Sequence, residues 1–167
     1  MNLEHDELYS DKTVIGRWLR SKSTIIKINN IIFTHGGISE DFIAYQEFNL
    51  EKINDIMLNS IPQSRKDTKS NEFNRMYYGT KSLIWYRGYF EENFTYTDIS
   101  KILKLVDADH IVIGHTTNEQ VTQLFNNRIF VVDSGLKRGK YGEVLIIKNN
   151  RFFRGTLSGE LIELVSE

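Results

Sequence analysis

Apolar positions along this chain change period several times, and each change marks an element. Between Asp11 and about Lys22, the residues Val14, Ile15, Trp18 and Leu19 fall on one face of a helix. The period then becomes that of a strand. Thr24 to Ile28 and Ile31 to Thr34 are β-rich runs divided by Asn29-Asn30, the composition of a tight hairpin turn. The second run is almost wholly apolar, which predicts a strand covered on both faces, and it stops at His35-Gly36-Gly37. Ser39 is placed to cap a helix whose apolar positions run from Phe42 to Leu58, with a break near Asn49 that divides it in two.

Residues 62 to 74 are polar, lack a period and read as a surface excursion. The aromatic stretch from Leu83 to Phe90 fits no regular element. Thr97 is predicted to cap a helix running to about Asp107, with Ile99, Ile102, Leu103 and Val106 on one face. His110 to Ile113 is a short strand that ends at Gly114-His115-Thr116. The remainder is strand-rich: Arg128 to Val132, Glu143 to Lys148, Arg151 to Thr156 and Glu160 to Val165, with turns at Asn149-Asn150 and Ser158-Gly159. Mixed β and α followed by a β meander predicts an α/β or α+β layered fold over residues 1–167, with no linker dividing it.

Composition narrows the picture. A chain of 167 residues that is 40% hydrophobic can bury a core. A net charge of -1 points to neither a nucleic-acid backbone nor an anionic membrane as partner. No run of about 18 apolar residues is present, so no transmembrane helix is expected. The acidic, polar start from Met1 to Glu7 is unlike a secretory signal, which leans the expected compartment toward the cytoplasm. The absence of cysteine excludes disulfides, thiolate metal sites and cysteine nucleophiles.

Two places share one design. Ile31 to Gly37 is strand, histidine, then glycines; Ile111 to Thr116 is strand, glycine, then histidine. Ligands of open α/β sheets bind beyond the carboxyl ends of strands, so His35 and His115 are candidates to meet at one metal as neutral imidazole ligands. Either is equally readable as a hydrogen-bonded turn residue. Two histidines also fall short of the three or more protein ligands that a catalytic metal usually has. His5 lies in a polar terminus and reads as solvated; His110 opens a strand and reads as structural.

The stretches Gly16 to Arg20, Phe33 to Ser39, Leu83 to Gly88, Ile113 to Thr116 and Phe130 to Leu136 occur in one order. Together they resemble the later motifs of calcineurin-like metallophosphoesterases, above all the bacterial phosphoprotein-phosphatase branch. The resemblance spans roughly Gly16 to Gly142. It implies a β-sandwich flanked by helices and hydrolysis of phosphate esters or phosphoproteins by metal-activated water. It also implies two divalent ions of manganese, iron or zinc type. His35 and His115 would ligate one ion, and Arg87 would face the substrate phosphate. Arg87 is equally readable as a guanidinium stacked among Trp85, Tyr86 and Tyr89. Asp133 would orient a ligand histidine, or would cap a turn with Ser134 and Gly135.

The family's earlier motifs, Asp-x-His, Gly-Asp-x-x-Asp-Arg-Gly and Gly-Asn-His-Glu, do not occur in the sequence. The resemblance therefore implies the C-terminal portion of such a domain, with its N-terminal strands missing. Such a portion is expected to bind at most one metal, and weakly. On its own it would hydrolyse little, and it would self-associate or pair with the missing half. A non-catalytic binding or regulatory remnant of the same fold is the other reading.

Overall fold

The computed structural model describes residues 4–61, 72–139 and 141–166. Two hairpins rest on asparagine pairs. Asn29 and Asn30 have φ of 49° and 62°, and Asn149 and Asn150 have φ of 54° and 58°. Two left-handed residues in a row make the turn whose twist matches the flanking strands, and asparagine tolerates that region. The first turn joins β1 (Ile25–Ile28) to β2 (Ile31–Thr34), with Ile28 opposite Ile31. The second joins β6 (Val144–Lys148) to β7 (Arg151–Gly155).

Further strands are β3 (His110–Ile113), β4 (Thr122–Leu124), β5 (Ile129–Val131) and β8 (Leu161–Glu163). They form a five-stranded sheet in the order β1-β2-β3-β5-β4 and a three-stranded sheet in the order β6-β7-β8. β2, β3 and β5 run parallel at the centre, while β1 and β4 flank them antiparallel. The three central strands are apolar on both faces because both are covered. Ile32, Ile111, Ile113, Ile129 and Val131 enter a core shared with helices, and Ile31, Val112 and Phe130 enter a second core with Phe152 of β7. The result is three layers: helices, mixed sheet, small sheet.

The helical layer consists of α3 (Glu40–Tyr45), α4 (Leu50–Ser60), α5 (Glu72–Tyr78) and α6 (Tyr96–Leu105). Ser39 accepts from the Phe42 amide as the cap of α3, and Asn49 caps α4, so the predicted break falls where a second cap begins. The cap of α6 is Thr95 rather than Thr97. Thr95 and Asp98 form a reciprocal capping box, which satisfies two orphan donors where Thr97 would satisfy one. Of the expected surface excursion, residues 62–71 lie outside the described residues. Residues 72–74 open α5, whose Met76 and Tyr77 are buried. The strand β4 was not expected, since three half-buried residues carry no readable period. Before the sheet come α1 (His5–Leu8) and α2 (Val14–Arg20). The apolar stripe of α2 faces outward: Val14 is 77% and Trp18 57% exposed.

One buried ion pair ties the two sheets together. The Glu143 carboxylate accepts from Arg154 Nε at 2.9 Å and from the far guanidinium nitrogen at 2.7 Å, from the Val121 amide at 2.8 Å, and from the Tyr141 hydroxyl. Val121 leads into β4 of one sheet, and Arg154 sits on β7 of the other. The Glu143 side chain is fully buried. Hydrogen bonds from Arg154 hold its carboxyl down at about 2, against the opposing effect of desolvation, with Tyr141 and Val121 helping. A pKa depressed in the folded state stabilises the fold above the unfolded value of 4.5, and that stability is lost as pH falls toward 2. The loss from this one group is on the order of 3 kcal/mol. Urea unfolding between pH 6 and about 2.5 is therefore expected to show it. Glu143→Gln leaves Arg154 charged and unpaired, so it should cost about 3 kcal/mol or more at neutral pH and remove most of that acid dependence. An unchanged acid limb in the variant would show that Glu143 is not its source.

Candidate metal and phosphate site

The site lies at the carboxyl ends of β2 and β3. Thr34 pairs with Ile113 in the parallel ladder, so the residues that follow leave the sheet side by side. The Gly114 amide then donates to the His35 carbonyl at 2.9 Å, which prolongs the pairing beyond the last ladder residue. His35 Nε2 and His115 Nδ1 end 3.0 Å apart, with ring centroids at 4.8 Å. The two histidines that the sequence singled out thus converge from positions 80 residues apart.

His115 sits in a strained turn. Its φ is 62°, and the Thr116 amide donates back to the Gly114 carbonyl at 2.6 Å across it. A three-residue turn with a left-handed centre is uncommon for a residue with a side chain, and such backbone collects at functional sites. Its Nε2 is buried without a hydrogen-bond partner among the described residues. Desolvation, then Arg87, His35 and Lys137, push the His115 pKa down and outweigh Asp133, which favours the neutral ring. A neutral imidazole is the form that ligates a metal.

The aromatic segment acts mostly as scaffold. The Tyr89 hydroxyl accepts from the Ile38 amide at 2.8 Å and donates to the Ile38 carbonyl at 3.0 Å, pinning the loop that follows His35. The Gly36 amide donates to the Leu83 carbonyl at 2.6 Å. A Cβ at Gly36 would lie 2.9 Å from the Ile84 carbonyl carbon and the Tyr86 nitrogen, so this position has no room for a side chain. Gly114 differs, since a Cβ there would meet only ordinary contact at 3.6 Å. Tyr86 and Tyr89 are buried, whereas Trp85 is 47% exposed and lies edge-on to His115 at 4.9 Å between centroids.

Arg87 is exposed, with its guanidinium carbon 6.0 Å from the Trp85 ring centroid. Stacking and an outward-facing fork coexist there. Asp133 follows β5, the third parallel strand. Its oxygens accept from the Gly135 amide at 3.1 Å and from Thr117 Oγ1 at 2.9 Å, and Lys137 Nζ donates to the same hydroxyl at 3.1 Å. Desolvation works to raise its pKa, but Gly135, Thr117, Lys137 and His35 together hold it below the ordinary carboxylate value. This is turn-capping geometry, with no hydrogen bond to either histidine among the described residues. The contacts of Trp85, Thr117 and Lys137 left no trace in the sequence pattern.

Two imidazole nitrogens bound to one ion at about 2.1 Å, at angles near 90–110°, lie about 3.0–3.4 Å apart. The separation of His35 and His115 falls at the edge of that range, so the pair fits as neighbouring ligands of one ion. Among the described residues no group of three or more His, Cys, Asp and Glu side chains gathers at one point. A cavity of about 480 Å³ opens at the other ends of β2 and β3, lined by Asn29, Asn30, Asp109, His110 and Phe152. His110 there bonds the Asn127 carbonyl at 2.6 Å and packs edge-on against Phe152. Strand polarity favours the carboxyl ends for chemistry.

The chain matches no protein-family model. It is 28% identical over 120 residues to Shewanella-like protein phosphatase 1 of Plasmodium berghei (strain Anka), covering 67% of this chain and 32% of that protein. It is similar in structure to a cold-active protein tyrosine phosphatase, with a TM-score of 0.93 and 40% identity over 98% of this chain and 49% of that one. A second structure, of the cold-active protein-tyrosine phosphatase of a psychrophilic Shewanella species, gives a TM-score of 0.92 and 42% identity over 96% and 48%. The chain thus has a phosphatase-type fold. It spans about half the length of these solved phosphatases and about a third of the curated relative.

Substituting the two site glycines separates tight from open positions. Gly36→Ala is expected to cost about 1–3 kcal/mol, because the opposing atoms are backbone. Gly114→Ala should stay within about 0.5–1 kcal/mol. Thermal unfolding of the two variants checks this, and equal losses would contradict the crowding at Gly36.

Proposed function

We propose that this chain forms part of a metal-dependent phosphatase that hydrolyses phosphate esters, phosphoproteins among them, at the pole where His35, His115 and Arg87 meet. The observation that carries this is the 3.0 Å approach of His35 Nε2 to His115 Nδ1 at the ends of adjacent parallel strands. The likeness to protein phosphatases supports it independently.

In this reading the complete site is dinuclear, of the calcineurin-like kind, and His35 and His115 serve one of two divalent ions. Such ions, when bound, stabilise charge on phosphoryl oxygens and lower the pKa of water. The chain's own residues do the rest. The β2–β3 register holds two imidazole nitrogens toward one point. Desolvation, with Arg87 and Lys137 nearby, lowers the His115 pKa and so favours the form with a free lone pair. Arg87 presents a planar fork that can take two phosphate oxygens and offset their charge. Asp133 fixes the loop carrying Lys137 through Thr117. The remaining ligands come from a segment bearing the family's earlier motifs, so the chain alone turns over little substrate.

A non-catalytic binding role is the second reading, favoured by the lack of a third clustered ligand among the described residues. Titrating Mn²⁺ while following histidine ring signals by NMR separates the two. His35 and His115 are expected to broaden together, ahead of His5 and His110, and His35→Ala or His115→Ala should weaken binding about tenfold or more. Broadening that ignores both substitutions would refute the metal assignment. An aryl phosphate is expected to be cleaved far more slowly than the 1–10³ s⁻¹ typical of enzymes, roughly; turnover in that range by the chain alone would show the site to be complete.

A further inference from the structure

Between Trp85, which lies against His115, and the exposed Arg87, the side chain of Tyr86 turns into a different opening. This is a cavity of about 280 Å³ between the start of α3, the residues around Glu91 to Phe94 and the first turn of α6. Four carboxylates line it. Glu40 and Asp41 open α3, Glu91 follows the short turn Gly88–Phe90, and Asp98 lies in the first turn of α6. Two lysines offset part of this charge: Lys81 Nζ is 3.3 Å from Asp41, and Lys101 pairs with Glu40. Glu91 and Asp98 form no ion pair among the described residues, so the opening stays net negative.

Tyr86 is the second sign of a site. It is 8% exposed, and its hydroxyl has no hydrogen-bond partner among the described residues. Its neighbour Tyr89 differs, since that hydroxyl both donates to and accepts from Ile38. A buried hydroxyl left unbonded is costly and calls for an explanation. The backbone leaves this one room: a Cβ on Gly88 would lie 2.2 Å from the Tyr86 oxygen. Burial pushes the Tyr86 pKa up to about 12, and Glu91, Asp41, Glu40 and Asp98 add to the rise. The hydroxyl thus faces the same four carboxylates that line the cavity.

The charge asks for a cation, and the spacing asks for an extended one. Oxygen ligands must close to about 2.0–2.6 Å around a single Mg²⁺ or Ca²⁺. Among the described residues no three acidic or histidine side chains gather closely enough to hold a metal ion. Phe94 adds an apolar wall beside the carboxylates. A charged head on a hydrocarbon stem matches both surfaces. At about 280 Å³ the cavity suits a side-chain-sized group rather than a larger ligand. We propose that this cleft binds an alkylguanidinium or alkylammonium group, its head held by Glu91 and the Tyr86 hydroxyl and its stem along Phe94. The site is separate from the histidine pair and does not rest on the phosphatase reading. Because Tyr86 adjoins Trp85 and Arg87, its occupant borders the segment that frames the other pole.

Titration of the chain with butylguanidine, followed by NMR, tests this. Signals of Tyr86, Phe94 and Ile102 are expected to shift saturably, while those of His110 at the far end of β3 stay in place. Butylurea has the same shape without the charge and should bind about tenfold more weakly or not at all. Glu91→Gln and Tyr86→Phe should each weaken binding about fivefold. Tyr86→Phe removes only an unbonded hydroxyl, so its amide spectrum should otherwise match that of the parent. Glu51→Gln on α4 changes the net charge equally and should leave binding unchanged. A short peptide with one arginine separates the two sources of such a group. Binding about tenfold tighter than butylguanidine assigns a protein side chain, and equal binding assigns a free amine or guanidine. Equal binding of butylurea, the absence of saturable shifts, or full binding by both cleft variants would each overturn the proposal. So would a matching loss in Glu51→Gln, which would reduce the effect to overall charge, or displacement of butylguanidine by equimolar Ca²⁺, which would make the site inorganic.

Discussion

The site depends on the register between β2 and β3. Pairing Thr34 with Ile113 fixes which residue of each strand is the last in the sheet, and a slip of one position would turn one histidine from the rim toward a face. That register is held by burial. Ile32 and Ile113 face the helical core, and Ile31 and Val112 face the small sheet, so each strand has one way to satisfy both cores. The bond from Gly114 to the His35 carbonyl then carries the pairing past the sheet's end and brings the imidazoles together.

Around that constraint the structure is built from close backbone contacts more than from side-chain chemistry. The loop after His35 lies on the Leu83–Tyr86 backbone, which is why Gly36 cannot carry a side chain, and Tyr89 clamps Ile38 from below. The aromatic stretch is thus chiefly a floor, with Trp85 as the member that touches a candidate ligand. On the far side, Glu143 ties the loop before β4 to β7 through Arg154 and so locks the small sheet against the large one. Removing a buried charge partner is expensive because the survivor keeps its desolvation cost.

The outward-facing stripe of α2 and the open edge of β6 show the same feature in two places. Both are apolar surfaces with the composition of buried ones. In the proposed reading a second segment completes the ligand set that two histidines begin.

Much of this was legible from the chain. Both Asn-Asn hairpins, the apolar central strands, the cap at Ser39 and the break at Asn49 follow from local chemistry, because turn and cap preferences are set within four or five residues. The two strand-end histidines could be singled out for the same reason. The cap of α6 was misplaced by two residues because Thr95 and Thr97 both suit the role until Asp98 completes the box with one of them. β4 escaped notice because its residues owe their place to β5. Only the tertiary structure decided that His35 and His115 meet, that Asp133 braces a turn and bonds neither histidine, that Trp85 lies against His115, and that α2 faces outward. Those are distances between segments far apart in sequence, set by sheet register and packing, to which periodicity within one segment is blind.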